Sequence, residues 1–183
     1  WSTITYKDYY KYCRRFAGAL QALNLQKGDT VCLIGYNSFP LFVSILGSMM
    51  AGCIPVPIYP SMNREICEQI VQKCQPMHLF VSDNNQLVKF LELLYSEDCS
   101  IRSVSIIGPY SKDETVNARI FRWYDLVNSI KKFDPIKISP NDIATLIHTS
   151  GSSGSPKPVI LTFKNLSAMH NTLIQRLSDE VPK

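Results

Sequence analysis

The chain has 183 residues, of which 45% are hydrophobic and 19% charged, with a net charge of +4. That length can bury roughly 70% of the unfolded surface in one unit, and the composition excludes a disordered segment. The surplus of positive charge is mild and spread along the sequence, so it singles out neither nucleic acid nor an anionic membrane.

In chain order, residues 6–23 open as an amphipathic helix. Tyr6, Tyr9, Tyr10, Cys13, Phe16, Ala17, Leu20 and Leu23 recur at three- and four-residue steps. Lys7, Lys11, Arg14 and Arg15 lie mostly off that stripe, and Thr3 or Thr5 is placed to cap the helix. The basic side reads as a solvated face, with a membrane-contact patch as the alternative. A turn at Lys27-Gly28-Asp29 leads to a buried strand over 30–35 and a helix over 40–51, apolar nearly all round.

Residues 30–63 carry no charge, which is long enough to raise a transmembrane span. Asn37, Pro40, Gly47, Gly52, Pro55, Pro57 and Pro60 interrupt the run, and lipid tolerates exposed backbone breaks poorly. Strand, helix, short strand (54–59) is the reading that follows. A helix over 64–74, a strand over 78–82, a helix over 84–95 and a strand over 104–107 come next. A polar loop covers 109–115, a short strand takes in Ile120 and Phe121, and a helix covers 123–130. Strands alternating with helices predict an α/β fold with a mainly parallel sheet and right-handed crossovers.

Residues 133–141, with two prolines, read as a connection. A β-type run from Ile143 to His148 then enters Thr149-Ser150-Gly151-Ser152-Ser153-Gly154-Ser155-Pro156-Lys157-Pro158. Val159 to Thr162 leaves as a strand, and 163–177 closes as a helix with Leu166, Met169, Leu173 and Leu177 apolar. The expected organisation is therefore a sheet region over 1–132, a connection over 133–141, and a strand-loop-strand motif with its helix over 142–183.

The loop suits polyphosphate. Gly151 and Gly154 can take positive φ and let backbone N–H groups converge on phosphate oxygens. Thr149, Ser150, Ser152 and Ser153 add hydroxyl donors, and Lys157 adds a compact positive charge. The same composition also fits an ordinary surface turn. A Walker A loop is excluded, because Pro156 precedes Lys157 and a strand rather than a helix follows; no Gly-x-Gly-x-x-Gly occurs anywhere. Ser150 as a hydrolase nucleophile lacks the Gly-x-Ser-x-Gly elbow.

The six cysteines, Cys13, Cys32, Cys53, Cys67, Cys74 and Cys99, form no Cys-x-x-Cys pair, and His78, His148 and His170 sit at no metal-ligand spacing from them. They read as buried free thiols in a reducing compartment, and no metal site is expected. The first residue is Trp1 rather than Met, which suggests a fragment.

The run Thr149 to Lys157 resembles the Thr-Ser-Gly-Ser/Thr-Thr/Ser-Gly-x-Pro-Lys signature of the AMP-binding superfamily of adenylate-forming enzymes. Further likeness lies in Thr5-Tyr6, Lys27-Gly28-Asp29-Thr30-Val31, Gly35-Tyr36-Asn37-Ser38, Ala51-Gly52, Pro55-Val56-Pro57 and Pro140-Asn141-Asp142-Ile143-Ala144. Tyr9-Tyr10 together with Gly35 to Ser38 is most similar to long-chain acyl-CoA synthetases of the bubblegum type. The resemblance implies that Thr149, Ser150, Gly151, Ser152, Ser153 and Gly154 cradle the phosphates of Mg-ATP and that Lys157 is the catalytic charge partner.

It further implies a parent that uses ATP, Mg2+ and CoA to turn a fatty acid into acyl-AMP and then acyl-CoA. That parent would work inside the cell, in the cytoplasm or on the cytoplasmic face of a membrane with peripheral contact, and would not bind nucleic acid. The alternatives are a fatty acyl-AMP ligase that hands its acyl group to a carrier protein, and a degenerate binding module. Two positions depart from the family pattern: Pro158 stands where glycine follows the lysine, and His148 where an aromatic ring precedes the threonine. The later superfamily motifs fall outside the chain, which ends at Lys183, so the 183 residues alone are expected to be inactive.

Overall fold

The computed structural model describes residues 3–110, 118–149 and 156–180. Helix α1 (Tyr6–Ala22) leads through strand β1 (Thr30–Ile34), α2 (Phe39–Met50), β2 (Ile54–Ile58), α3 (Arg64–Cys74) and β3 (His78–Val81). Then follow α4 (Asn84–Leu87), a 3-10 turn (Val88–Phe90), α5 (Leu91–Tyr95), β4 (Ser103–Ile106), β5 (Arg119–Arg122) and α6 (Trp123–Ser129). The chain continues as β6 (Ile143–Thr149), β7 (Lys157–Thr162) and α7 (Phe163–Glu180). Thr5 caps α1, accepting from the N–H of Asp8, and Ser38 and Asn63 cap α2 and α3 in the same way.

Strands β1 to β5 form one parallel sheet in the order β2-β1-β3-β4-β5, as the alternation of strands and helices predicts. Every residue of the inner strands β3 and β4 is buried, as are Val31 to Ile34 of β1, because both faces of the sheet are covered. Cys32 and Ile34 of β1 join Leu79, Val81, Val104 and Ile106 in a cluster under α3, α4 and α5. The alternate residues Val31, Leu33 and Phe80 join Phe16, Leu20, Val43 and Trp123 under α1, α2 and α6. A period of two in the strands thus divides the core into two layers. The Trp123 indole N–H donates to Ser44 Oγ at 2.8 Å, so the largest buried side chain is also polar-satisfied.

Strand β2 ends the sheet. Ile54 N–H bonds inward to the Asp29 carbonyl at 2.8 Å, so Pro55 and Pro57, of the other parity, turn their missing N–H groups to the outer edge. There the Pro55 carbonyl accepts from the Thr145 hydroxyl at 2.8 Å. Strands β6 and β7 therefore form a separate antiparallel pair that docks on β2 through a side chain rather than through a ladder.

The 133–141 connection is strapped across α1. Gln21 donates to the Asp134 carbonyl at 2.7 Å and accepts from the Asp134 N–H at 3.1 Å. Lys27 donates to the Lys137 carbonyl and pairs with Asp142 at 2.6 Å. The single helix expected over 84–95 is broken instead by the 3-10 turn. Lys89, within that turn, donates to the carbonyls of Pro60 and Met62 at 2.6 and 2.8 Å, a tertiary anchor that carries no periodic signal. Residues 111–115 of the expected loop lie outside the described residues. On α7, Met169 and Leu173 are exposed, while Leu166 of the same apolar stripe is half-buried.

All six cysteines are free, and five are buried. Burial pushes the Cys13 thiol up to about 11 and that of Cys53 to about 12. No helix among the described residues is long and apolar enough to cross a membrane.

His78 is fully buried between Ser103 Oγ at 2.8 Å and Ser105 Oγ at 2.9 Å, one ring nitrogen donating and the other accepting. That pairing suits a neutral ring, and burial lowers its pKa to about 3. The unfolded chain binds this proton near pH 6.5, the folded chain only near pH 3, so folding loses stability as pH falls through that window. The expected slope from this group is at most about 1.4 kcal/mol per pH unit. Denaturant titrations of the wild type and His78→Asn from pH 7 to pH 4 should show a flatter acid limb in the variant.

Candidate nucleotide-phosphate site

Strands β6 and β7 pair Ile147 with Val159, His148 with Pro158 and Thr149 with Lys157. Of the residues expected to cradle phosphate, Thr149 and Lys157 are therefore brought opposite each other at the mouth of the hairpin. The Thr149 hydroxyl donates to the Lys157 carbonyl at 3.4 Å, and both residues are exposed. Ser150, Gly151, Ser152, Ser153 and Gly154 lie outside the described residues.

The second leg of the loop is held from below. Pro156 is buried, and its carbonyl accepts from Lys73 Nζ at 3.4 Å, at the last turn of α3. Side chains alternate along β6: Leu146 packs on the cluster beneath α3, while Ile147, on the opposite face, lines a hollow. The hollow encloses about 320 Å³ against Gly35, Tyr36, Pro57 and Tyr59, at the carboxyl ends of β1 and β2. Ligands of open α/β sheets bind at that end of the strands. The strand ends that carry Thr149 and Lys157 thus lie on the same hairpin as Ile147, which lines the apolar recess.

Both departures from the family pattern have a structural outcome. Pro158 continues β7 and faces His148; among the described residues positive φ occurs only at Asn24, Gln75, Gly28 and Gly52, so the position needs no left-handed backbone. His148 is 2% exposed, so its ring fills a buried place as an aromatic ring would. Neither of its ring nitrogens has a partner among the described residues. Burial, and secondarily the charge of Lys73, lowers its pKa. Lys73 and the hollow were not legible in the sequence. A lysine ending a helix is ordinary, and the recess joins residues from three distant strands.

No group of three or more His, Cys, Asp or Glu among the described residues could hold a metal ion.

An unpaired buried imidazole costs roughly 1 to 3 kcal/mol. His148→Phe should accordingly raise the thermal midpoint at pH 7. The gain should widen as pH falls below the ordinary histidine value, because the unfolded wild type takes up a proton that its folded state resists. A variant no more stable than the wild type would contradict this account of the site.

The model of the family described as AMP-binding enzyme matches residues 1–181. Among curated proteins, the mouse long-chain-fatty-acid–CoA ligase ACSBG2 is 31% identical over 97% of this chain, and its Xenopus laevis counterpart 32% over 91%. The chain spans only about a quarter of the length of these relatives, 27% and 23% respectively. Among solved structures, a fatty acyl-adenylate ligase from L. pneumophila, in complex with acyl adenylate and pyrophosphate, superposes with a TM-score of 0.70 at 26% identity, over 95% of this chain and 28% of that one. A long-chain-fatty-acid CoA ligase of Rhodopseudomonas palustris, described as putative, shares the fold at a TM-score of 0.81 and 20% identity, over 94% of this chain and 41% of that one. A parallel sheet ended by a proline-edged strand, with a hairpin that presents Thr149 and Lys157 at its carboxyl side, accords with these matches, and the chain belongs to the AMP-binding, adenylate-forming enzyme family.

Proposed function

We propose that the whole protein carrying this chain is an ATP-dependent acid–thiol ligase for long-chain fatty acids. The observation that carries the proposal is the pairing of Thr149 with Lys157 across a loop whose nine residues from Thr149 match the family signature, beside the recess at the ends of β1 and β2. The likeness to the ACSBG2 ligases supports the choice of substrate class.

In the first half-reaction a fatty acid carboxylate oxygen attacks the α phosphorus of ATP. The bond from that phosphorus to the bridging oxygen breaks, and pyrophosphate leaves. In the second, the CoA thiol loses its proton and attacks the acyl carbon, and AMP leaves with the bonding pair. Charge neutralisation and positioning dominate chemistry of this kind. Lys157 supplies a cation to the departing phosphates, Thr149 and the serines supply hydroxyl donors, and Gly151 and Gly154 let backbone N–H groups approach. Lys73 holds the Pro156 carbonyl and so steadies the leg on which Lys157 stands. Mg2+, which accompanies ATP in this family, neutralises phosphate charge when bound. The six free thiols accord with a reducing, intracellular setting, and peripheral membrane contact of the whole protein belongs to the same reading.

Pyrophosphate release by the full-length protein, with ATP, magnesium and a long-chain fatty acid, is the direct test. Release should require the acid, and acyl-CoA should appear when CoA is added. Lys157→Gln should lower kcat/KM for ATP by about a hundredfold. The 183 residues alone should make no acyl-AMP. Accumulation of acyl-AMP despite CoA would instead identify a carrier-linked ligase, and no release by folded full-length protein would identify a binding module.

A further inference from the structure

The positive charge of this chain is not spread over its surface. Six basic side chains, Lys7, Lys11, Arg14, Arg15, Lys131 and Lys132, line one open groove of about 920 Å³ between α1 and the segment after α6, with Asp8 the single acidic residue in its wall. The groove therefore carries net +5, while the whole chain carries +4, which leaves −1 for everything else. Sequence separation hides this: more than a hundred residues lie between the two walls. Gly18 permits their approach, because a Cβ there would collide with the Lys132 carbonyl.

The two arginines are held in place. The Arg14 guanidinium lies 5.9 Å from the ring centre of Tyr10 and 5.8 Å from that of Phe133. Arg15 donates to Asn128 Oδ1 at 3.0 Å and lies over Tyr12. Lys7, Lys11 and Lys131 are exposed. Lys7, Lys11 and Arg14 follow one another along about 10 Å of helix. Beside them stand two exposed apolar side chains, Ile4 at 44% and Tyr6 at 91% exposure. Lys132 pairs with Asp134 at 3.0 Å, and the other cations set up a positive field along the groove that attracts an anionic surface.

We propose that this groove and the outward face of α1 dock on an anionic lipid bilayer surface. The opposite face of α1 is committed to the core through Phe16, Ala17 and Leu20, so the helix can only lie flat. A flat basic helix edged by tyrosine and isoleucine matches a plane of anionic headgroups with an apolar layer beneath. The proposal gives the membrane contact of the reading above a definite surface. Docking does not depend on turnover, so the two can fail separately.

Full-length protein is to be mixed with phosphatidylcholine vesicles containing one part in three of phosphatidylserine, and with pure phosphatidylcholine vesicles, and the bound fraction measured by co-sedimentation. Binding should require phosphatidylserine and weaken with added salt. The triple variant Lys7→Gln, Lys11→Gln, Lys131→Gln should bind about a hundredfold more weakly, at roughly fivefold per cation. Its thermal midpoint, and its pyrophosphate release with a soluble medium-chain acid, should match the wild type. A second variant, Arg102→Gln, Arg119→Gln, Arg122→Gln, removes the same charge from the β4–β5 edge and should bind like the wild type. The proposal is overturned if the wild type ignores anionic vesicles, or if the two variants lose binding equally. It is overturned as well if a duplex DNA or polyglutamate competitor binds the groove more tightly than the vesicles.

Discussion

Two missing hydrogen-bond donors shape the arrangement of this chain. Pro55 and Pro57 leave the β1 ladder intact, because the N–H groups of Ile54, Val56 and Ile58 are the ones of inward parity. On the outer edge they remove the donors that a further parallel strand would need. The sheet stops there, and the next strand in space, β6, attaches by the Thr145 hydroxyl to the Pro55 carbonyl. A side-chain hook leaves β6 free to pair antiparallel with β7, and that pairing makes the loop a hairpin tip rather than a crossover.

The root of the hairpin is then set by what lies on either side of β6. One face meets the cluster beneath α3, where Lys73 reaches the Pro156 carbonyl and His148 is enclosed. The other face, through Ile147, closes a recess with Tyr36 and Tyr59. Thr149 and Lys157 thus stand at the root of the hairpin, and the apolar space lies beside it. The polar interior is economical elsewhere: His78, Ser103 and Ser105 satisfy one another across β3 and β4, so a histidine sits in the core without a charge.

The same connection that leads into β6 builds the basic groove. Residues 130–134 lie along α1 because Gln21 makes two hydrogen bonds to Asp134 and Gly18 leaves room for the Lys132 carbonyl. Lys131 and Lys132 are thereby carried to the four cations of α1, and Phe133 comes to rest against Arg14. Positive charge that looks dilute in one dimension becomes a single field in three.

Much was legible in the sequence because it depends on local patterns. The Val31 to Ile34 and Leu79 to Val81 runs are apolar on every residue, which only a strand covered on both faces requires. Thr5, one of the two threonines placed to cap α1, and the Lys27-Gly28-Asp29 turn announce their roles by residue type alone. The Thr149 to Lys157 signature is contiguous, so the family could be named before any contact was known. Tertiary structure alone decided the order β2-β1-β3-β4-β5, the break of the 84–95 helix at Lys89, the burial of His148, the hold of Lys73 on Pro156, and the gathering of +5 beside α1. Each of these joins residues with no periodic relation along the chain. Their energies come from close approach in space, and a pattern read along the sequence contains no distance.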